Sequence, residues 1–538
     1  MNKDLSLHIK EKLLPLLVFP FVVGALTGVV IFAFKLASSL VIERSERIYA
    51  FVRENPKYLP GLVLGVIIVG VMSALLLKYF KECRGGGIPT AVASIRGLIP
   101  MKWAQGMFAL FGSALLTYTA GVPLGNEGPS VQIGAAVGKG ASGLFGKQNR
   151  AWERYNMTGG ACSGFAIATG APLSGIIFAM EEAHRRFSPT IFIVAATSVI
   201  SGTVTADILS FVFKVDTTFF DFTIDNLLPF KYLWVAAIIG ILCGISANLL
   251  TKLYHYIRNV AKTSKVKIPF SANIVIIFAI TAVLGFISAD FVGSGHSLIE
   301  KIIEGHAVWY VILIAFIIRA VLMILANSGG VSGGLFVPTL AFGAMISSVL
   351  TDGLIAVGLV DSQYYVIFIV VGMASFLSSS SRIPLTALAF SAEALCGATN
   401  ILPVVVGVAT SYFVAEIMGR LSFADTVIEA KTAKEHANKT PVVVDSHMRV
   451  QPGAFVIGME IRDILWPPTC AILSIHRAEE HHTHHAEALF EGDLIHLHYQ
   501  TYDTAETLEL LTRILGEQPE DDQAKIHGGR DGHIVPNG

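Results

Sequence analysis

Acidic residues within otherwise apolar stretches are the side chains of this sequence that could carry chemistry. Glu127 stands in Gly125-Asn-Glu-Gly-Pro129, a glycine- and proline-rich break between apolar segments. Such a break predicts a helix that begins inside a membrane, where free N–H groups and the positive end of the helix dipole attract anions. A carboxylate there can occupy the anion site as a tethered competitor until protonation releases it. The alternative interpretation is a simple helix cap.

Two further breaks have the same composition, Gly85-Gly-Gly-Ile-Pro89 and Gly333-Gly-Leu-Phe-Val-Pro338. Proline costs no hydrogen bond in the first turn of a helix, and glycine lets the backbone come close to a ligand. Three such helix starts that meet at mid-depth predict an anion site built from backbone N–H groups, without a buried Lys or Arg. Ordinary helix packing through small residues is the competing interpretation.

An internal repeat relates two halves of the sequence. Pro129 to Ala135 recurs as Pro338 to Ala344, and Pro172 to Glu181 recurs as Pro384 to Glu393. The offsets are 338 − 129 = 209 and 384 − 172 = 212 residues, so the two matches lie nearly in register. Secondary transporters are commonly duplicated in this way, with the substrate site between the repeats. The sequence leaves open whether the halves are parallel or inverted.

The repeat distinguishes the predicted roles of two adjacent glutamates, Glu181 and Glu182. Glu181 and Glu393 are equivalent, which predicts that they share a structural task. Glu182 aligns with an alanine and has no counterpart, so a function that belongs to one half only should fall on it. An ion pair with Arg185 or Arg186 is the alternative role for Glu182.

The elements that must position these residues are apolar helices. The chain has 538 residues, of which 53% are hydrophobic and 15% charged, and its mean hydropathy is +0.62. Soluble domains carry about 25% charged residues. Long apolar stretches predict helices in lipid; among them are Leu13–Phe34, Leu59–Leu77, Trp234–Leu250, Ile274–Phe291 and Val308–Leu325.

Several other classes of function are disfavoured by the composition. A net charge of −1 argues against a nucleic-acid partner. The five scattered cysteines predict neither a disulfide framework nor a zinc site. The soluble part has no nucleophile–base pair and no phosphate-binding loop, so we do not expect an enzyme. No cofactor is predicted.

The sequence predicts two domains, a linker and a tail. Residues 1–428 form the membrane domain, with repeat halves at about 60–215 and 270–428 and with an amphipathic surface helix at Asn2–Leu14. Residues 429–440 are a polar linker, and residues 441–518 alternate like short strands before a helix at Thr504–Leu515. The tail, 519–538, has a disordered composition. Lys and Arg in short loops place both termini in the cytoplasm.

Taken in chain order, the breaks that begin at Gly85, Gly125 and Gly333 resemble the GSGIP, GREGP and GGxFxP signatures of CLC chloride channels and exchangers. The similarity extends from about Leu13 to Val427. The resemblance implies an all-α polytopic membrane protein, an inverted repeat of broken and tilted helices, with a small α+β cytoplasmic domain. It implies a homodimer in the lipid of the plasma membrane, with one anion path in each subunit.

The resemblance also implies roles for individual residues. It gives Glu127 the gating and proton-transferring role. CLC exchangers have an inner proton-accepting glutamate at the position of Glu182, whereas many CLC channels do not. The residues that it places around the anion are Gly86, Gly87, Ile88, Asn126, Gly128, Leu335, Phe336, Phe423 and Ala424.

Three positions depart from the family pattern. Gly86 replaces a serine, Asn126 replaces an arginine, and Phe423 or Ala424 stands where a tyrosine is expected. The anion would then rely mainly on the backbone N–H groups of Leu335 and Phe336, and each lost hydroxyl would weaken its binding by about 1 kcal/mol.

The predicted function is exchange of chloride, or another halide, for protons. A fluoride/proton antiporter is one alternative, because fluoride-exporting CLC members share GNEGP and lack the serine, although they lack the inner glutamate. A passive chloride channel gated by the cytoplasmic domain is the other alternative.

The segment from Val442 to Glu517 resembles an RCK C-terminal (TrkA-C) domain, on the residues Phe455–Ile464, Ile472–Arg477 and Phe490–Asp493. Such a domain implies regulation by a small ligand or ion. A nearby run of histidines could bind a transition metal or sense pH, although a solvated hairpin tip is the simpler interpretation. The histidines are His481, His482, His484 and His485.

Overall fold

The computed structural model describes residues 14–518, apart from 86, 146–150, 216–218, 221, 223, 225, 264–267, 306–307, 398, 420, 438 and 478–487. The predicted surface helix at residues 2–14, except for its last residue, lies outside the described residues. The predicted tail, 519–538, lies outside them as well.

Helices build the whole of the first domain, as its apolar composition predicts. Many of them begin at a proline or directly after a glycine, because these residues separate one apolar run from the next. The helices are α1 Leu14–Glu54, α2 Leu59–Tyr79, α3 Ile88–Ile95, α4 Trp103–Thr119, α5 Glu127–Ser142, α6 Glu153–Thr169, α7 Pro172–Phe178, α8 Pro189–Phe213, α9 Leu233–Thr263, α10 Phe270–Ile287, α11 His296–Ile303, α12 Trp309–Gly329, α13 Phe336–Ala356, α14 Tyr365–Ser381, α15 Pro384–Ala394, α16 Ile401–Met418 and α17 Phe423–Glu435.

Nine helices in the described part of the chain are long and apolar enough to cross a membrane. The outer surface of the helical domain is apolar as well: Phe211, Phe108 and Ile417 are 86%, 71% and 70% exposed. Exposing so many large apolar side chains is unfavourable in water and favourable in contact with lipid. The helical domain is therefore an integral membrane domain.

Helix α1 defines the two sides of this domain. It has 41 residues and is therefore about 60 Å long, twice the roughly 30 Å of a hydrocarbon core. Near its start Phe19 stacks on Phe145 (ring centroids 3.9 Å apart), and near its end Glu46 accepts a hydrogen bond from Ser297 (2.9 Å). Phe145 and Ser297 therefore lie on opposite sides of the membrane domain.

The two repeats meet at equivalent residues. Gly125 and Gly334, which are 334 − 125 = 209 positions apart, pair as an antiparallel bridge just before α5 and α13. The Gly125 N–H donates to the Gly334 carbonyl (2.8 Å), and the Gly334 N–H donates to the Gly125 carbonyl (2.7 Å). The reciprocal pairing shows that the two halves run in opposite directions where they touch, which the sequence had left open.

The equivalent glutamates Glu181 and Glu393 have the same structural task, as predicted. The Glu181 carboxylate accepts from the backbone N–H groups of Leu385 (2.8 Å) and Thr386 (2.7 Å) at the start of α15. The Glu393 carboxylate accepts from those of Leu173 (2.7 Å) and Ser174 (2.9 Å) at the start of α7. Each repeat thus caps a helix of the other, and the negative charge is favourable at a helix N-terminus.

The C-terminal domain is a three-stranded antiparallel sheet covered by one helix. The strands are β1 Val442–Arg449, β2 Ala471–His476 and β3 Leu494–Thr501, in the order β1-β3-β2, and the helix is α18 Thr504–Leu515. The predicted strands are confirmed with somewhat different bounds, and the predicted helix is confirmed with the same bounds. The first residues of the predicted linker, 429–435, belong to α17.

All five cysteines are free. Four of them are buried. In the C-terminal domain burial raises the pKa of the Cys470 thiol to about 11, so this thiol stays protonated and unreactive at neutral pH.

The C-terminal domain docks on the side of the membrane domain that carries Phe145. Tyr155 donates to the backbone carbonyl of Asp463 (2.5 Å), and Ser188 donates to the Asp463 carboxylate (2.5 Å). Arg186 donates to the carbonyl of Ile464 (2.9 Å). This docking loop, residues 460–468, therefore contacts the residues that follow α7.

The reciprocal caps allow a test of the repeat interface. Hydrogen bonds to a charged acceptor are each worth about 1.5–3 kcal/mol. We expect Glu181→Ala and Glu393→Ala each to lower the free energy of unfolding in detergent by roughly that amount or more. Glu304→Ala, at an exposed glutamate, is the matched control and should change it little. If neither Glu181→Ala nor Glu393→Ala changed the thermal unfolding of the protein, the capping role would be contradicted.

Candidate functional site

The three glycine-rich breaks meet at one point. A Cβ atom added to Gly128 would lie 2.6 Å from the Cα atom of Gly334 and 3.2 Å from that of Gly87. Only glycine permits this approach, because any side chain at Gly128 would collide with backbone. One residue from each break therefore forms a constriction of three backbone segments.

An ion-sized cavity lies on one side of this constriction. Its volume is about 40 Å³, enough for a few water-sized particles. Helices α3, α13 and α17 all begin at its wall, with Ile88, Phe336 and Phe423 as their first residues. The first N–H groups of a helix have no carbonyl in a preceding turn, so three positive helix ends converge on the cavity.

Most residues predicted to surround the anion line this cavity: Gly87, Ile88, Leu335, Phe336, Phe423 and Ala424. Asn126 and Gly128 do not, because Gly128 belongs to the constriction and Asn126 precedes α5 on its far side. The N–H of Gly87 is already used, since it donates to the side-chain oxygen of Gln132 (2.8 Å). Gly86 lies outside the described residues.

The third helix start at the cavity is α17 and not α5, a point that the sequence analysis missed. Ser422 caps α17, and its hydroxyl oxygen accepts the N–H of Asp425 (3.0 Å). The pattern Ser422-Phe-Ala-Asp425 is a helix-start signal that could have identified this end.

Polar side chains of the cavity wall were missed as well. Asn327, Thr339, Ser380 and Ser381 supply the polar groups besides the predicted residues. The signal was present in the sequence, because a run of four serines, 378–381, ends an otherwise apolar helix.

Glu182 lines the cavity on the side of the C-terminal domain. It is 2% exposed, and its Oε2 atom has no hydrogen-bond partner among the described residues. It stands in a π-helix, Ala179–Ala183, that continues α7. Arg96 holds this turn by donating to the backbone carbonyls of Glu182 (2.6 Å) and Ala183 (2.9 Å). The widened turn leaves the Glu182 carboxylate unpaired at the cavity.

The arginines that could have neutralised Glu182 have other partners. Arg185 forms an ion pair with Asp425 (2.6 Å), and Arg186 donates to the Ile464 carbonyl of the docking loop. The described part of the chain has no ion pair between Glu182 and either arginine. A buried carboxylate without a partner is costly unless it is protonated or its function requires it.

Glu127 lies on the opposite side of the constriction. It is the first residue of α5 and is 0% exposed, and neither carboxylate oxygen has a hydrogen-bond partner among the described residues. Its side chain folds back over Gly125, where a Cβ atom would collide with Oε2. The ionisable side chain beside it is that of His296, whose Nε2 is 3.9 Å from Oε1.

The two predicted acids therefore stand on opposite sides of the point where the breaks meet. Glu182 contacts the cavity and Glu127 contacts the far side of the constriction, and both are buried. Within the part of the chain that the structure describes, both carboxylate oxygens of Glu127 and the Oε2 atom of Glu182 lack a hydrogen-bond partner. The arrangement can hold an anion at the helix ends and exchange protons at two positions along one path.

No group of three His, Cys, Asp or Glu side chains that could hold a metal ion occurs in the described parts of the chain. The four histidines that were considered as metal ligands, His481, His482, His484 and His485, lie outside the described residues.

Together, the broken helices and the cavity at their ends define a membrane protein that conducts or transports ions. Residues 64–416 match the family of voltage-gated chloride channels (Voltage_CLC). Because the match covers well over half of the sequence, this chain belongs to that family.

Similar proteins agree with this assignment. The H(+)/Cl(−) exchange transporter ClcA of Salmonella paratyphi B is 27% identical over 441 residues, which are 79% of this chain and 90% of ClcA. The crystal structure of a slow cyanobacterial Cl−/H+ antiporter has a TM-score of 0.71 at 23% identity and covers 78% of this chain and 99% of its own. A CLC-type fluoride/proton antiporter has a TM-score of 0.61 at 19% identity, over 76% and 96% of the two chains. These likenesses establish the fold.

The effect on anion binding of the hydroxyl that is missing at the start of α17 can be tested by introducing one there. Ala424→Ser places a donor at the cavity wall, and a hydrogen bond to an anion is worth about 1 kcal/mol or more. We expect chloride to bind about fivefold more tightly, as measured by isothermal titration calorimetry. Ala389→Ser is the control, because Ala389 has the same exposure, 7%, and does not line the cavity. Equal affinities in both variants would exclude Ala424 from the anion site.

Proposed function

We propose that this protein is an antiporter that exchanges chloride for protons across a membrane. The observation that carries the proposal is a pair of buried carboxylates, Glu127 and Glu182, on either side of the point where the glycine-rich breaks meet. Among the described residues, both carboxylate oxygens of Glu127 and the Oε2 atom of Glu182 have no hydrogen-bond partner. A passive anion path requires only the helix ends. Two unpaired acids, in contrast, are costly to bury unless they exchange protons.

The relatives support the same reaction. ClcA is named an H(+)/Cl(−) exchange transporter, and the cyanobacterial structure is that of a Cl−/H+ antiporter. A channel gated by the C-terminal domain is less favoured, because it gives no role to the unpaired acid at Glu182.

The anion is held by the converging helix ends. Chloride enters the cavity and is stabilised there by the first N–H groups of α13, at Leu335 and Phe336, and by the positive ends of α3 and α17. Helix starts in a membrane are tolerated where they line a cavity of this kind. Because the donors belong to the backbone, they provide a positive potential without a cation that would bind the anion too tightly to release it.

Protons and chloride are coupled through Glu127. When it is ionised, its carboxylate competes with chloride for the N–H groups at the constriction. Protonation removes that charge, and the neutral acid withdraws so that an anion can pass. Glu182 exchanges protons with the side of the C-terminal domain and passes them towards Glu127 along the cavity.

The remaining expectations are part of the same proposal. The protein acts as a homodimer in the plasma membrane with both termini in the cytoplasm, so that Glu182 is the inner acid and Glu127 the outer one. The C-terminal sheet is an RCK-C-type regulatory domain that binds a small ligand or ion. Its docking loop contacts Arg186 and Ser188, just after the π-helix of Glu182, which supports an influence of that ligand on transport.

Glu127→Gln tests the coupling directly. Glutamine has nearly the same size, but it cannot release or accept the proton, so we expect proton transport to be abolished while chloride flux continues. Purified protein in liposomes, with a chloride electrode and a pH electrode, measures both fluxes. Proton transport that persists in this variant would refute the scheme.

The choice between chloride and fluoride is tested with the wild-type protein. Fluoride efflux clearly faster than chloride efflux from one batch of wild-type liposomes would replace chloride by fluoride as the substrate.

Glu182→Gln tests the second acid. We expect the rate of proton transport to fall at least tenfold, because glutamine cannot accept or release the proton. Chloride flux should stay within about twofold of wild type, because the carboxylate is not a ligand of the proposed anion site. Glu429→Gln, at an exposed glutamate of α17, is the matched control and should transport both ions as wild type does. An unchanged proton flux in Glu182→Gln would remove this residue from the pathway.

A further inference from the structure

His296 connects Glu127 to the surface on the side away from the C-terminal domain. Its Nε2 atom is 3.9 Å from Glu127 Oε1, and its side chain is 31% exposed while that of Glu127 is 0% exposed. Its neighbour Ser297 donates to Glu46 near the end of α1, which identifies the side. The imidazole therefore stands between a buried acid and the outer surface.

His296 is the first residue of α11, which follows Gly295 in a left-handed conformation (φ 118°). The start of this helix therefore fixes the backbone position from which the imidazole lies beside Glu127.

Two aromatic side chains hold the imidazole ring in place. Phe219 contacts it edge to face, with ring centroids 4.7 Å apart, and Phe220 contacts it at 4.9 Å. Phe219 also packs on Phe390 (5.6 Å), which packs on Phe336 at the cavity (5.0 Å). The ring therefore has a defined orientation next to the path.

Two cations close to α11 already have partners. Arg319 of α12 donates to the carbonyls of Val292 (2.7 Å) and Gly293 (2.8 Å), and Lys301 pairs with Asp290 (2.7 Å). Helix α13 presents the apolar side chains Val337 and Ala341 to Gly295. Other titratable groups near this site are Glu46, bonded to Ser297, and Tyr118, which donates to the Gly125 carbonyl (2.9 Å). Glu300 also belongs to α11 and stands four residues, about one helical turn, after His296. Asp216, Asp221 and Asp225, close in sequence to the two phenylalanines, lie outside the described residues.

We propose that His296 is the outer proton relay of Glu127. The inference rests on the proposed proton-coupled exchange and adds the residue that carries the proton between Glu127 and outer water. The imidazolium ion gives its Nε2 proton to the carboxylate, which leaves a neutral imidazole and a neutral carboxylic acid. Water at the exposed ring then supplies the next proton. A rotation of either side chain, or one bridging water, closes the remaining gap.

A second route to Glu127 has to be distinguished from this one. A cavity of about 370 Å³ opens beside α1 and is lined by Glu43, Glu46, Tyr118 and Ser297 among others. Water in this cavity could reach the neighbourhood of Gly125 without passing the imidazole. Glu46→Gln changes the charge of that cavity and leaves the ring in place, so it is the matched variant for the second route.

The test measures coupled proton and chloride transport of full-length protein in liposomes, at equal pH on both sides, from neutral to mildly acidic pH. We expect His296→Gln to slow coupled transport about tenfold near neutral pH, since general acid–base transfer is lost. The deficit should disappear at acidic pH, where hydronium protonates Glu127 directly. His296→Asn should behave alike. Glu46→Gln and His476→Gln, at an exposed histidine of the C-terminal domain, should resemble wild type.

The outcomes separate the inference from the function on which it rests. If wild type moves no protons, the antiport proposal itself fails. If wild type moves protons and His296→Gln follows the wild-type pH profile, only the relay is refuted. A deficit of equal size at every pH indicates a structural role and also refutes the relay, as does a larger deficit in Glu46→Gln. In a Glu127→Gln background, replacing His296 should leave chloride flux unchanged.

Discussion

The structure depends on one constraint, which is that backbone groups inside a membrane must find partners or line a cavity. Helices that begin part-way through the bilayer leave free N–H groups, and these are tolerable only where something negative or polar meets them. Here three helix starts meet at a cavity of about 40 Å³. The same ends that would destabilise a lipid-exposed helix thus line a cavity to which they turn their positive ends, as the proposed anion site requires.

The duplication explains which features are shared by the halves and which are not. Gly125 pairs with Gly334, and Glu181 and Glu393 cap each other's helices, so each half supports the other at equivalent positions. Glu182 breaks the symmetry, because the π-helix turns it into the cavity while an alanine stands at the equivalent position. The duplicated scaffold therefore supplies reciprocal contacts between the halves, and Glu182 is a buried acid that only one half has.

The docking loop of the C-terminal domain contacts residues that follow the π-helix of Glu182, as well as Tyr155 of α6. Asp463 bonds to Tyr155 and Ser188, and Arg186, four residues after Glu182, bonds to Ile464. A displacement of the loop would move the end of the π-helix. The C-terminal sheet and the membrane domain are consequently linked by a few hydrogen bonds close to Glu182.

The sequence by itself determined the apolar helices, the duplication, the three breaks and the two acids, because each of these depends on local composition or on spacing along the chain. The shared structural task of Glu181 and Glu393 was also predicted correctly, since repeat matching needs no coordinates. Only the tertiary structure decided that α17 rather than α5 completes the cavity, that Gln132 takes the N–H of Gly87, and that His296 lies beside Glu127. These contacts join residues from about 45 to more than 300 positions apart, and such pairings follow from how the helices pack and not from any local pattern.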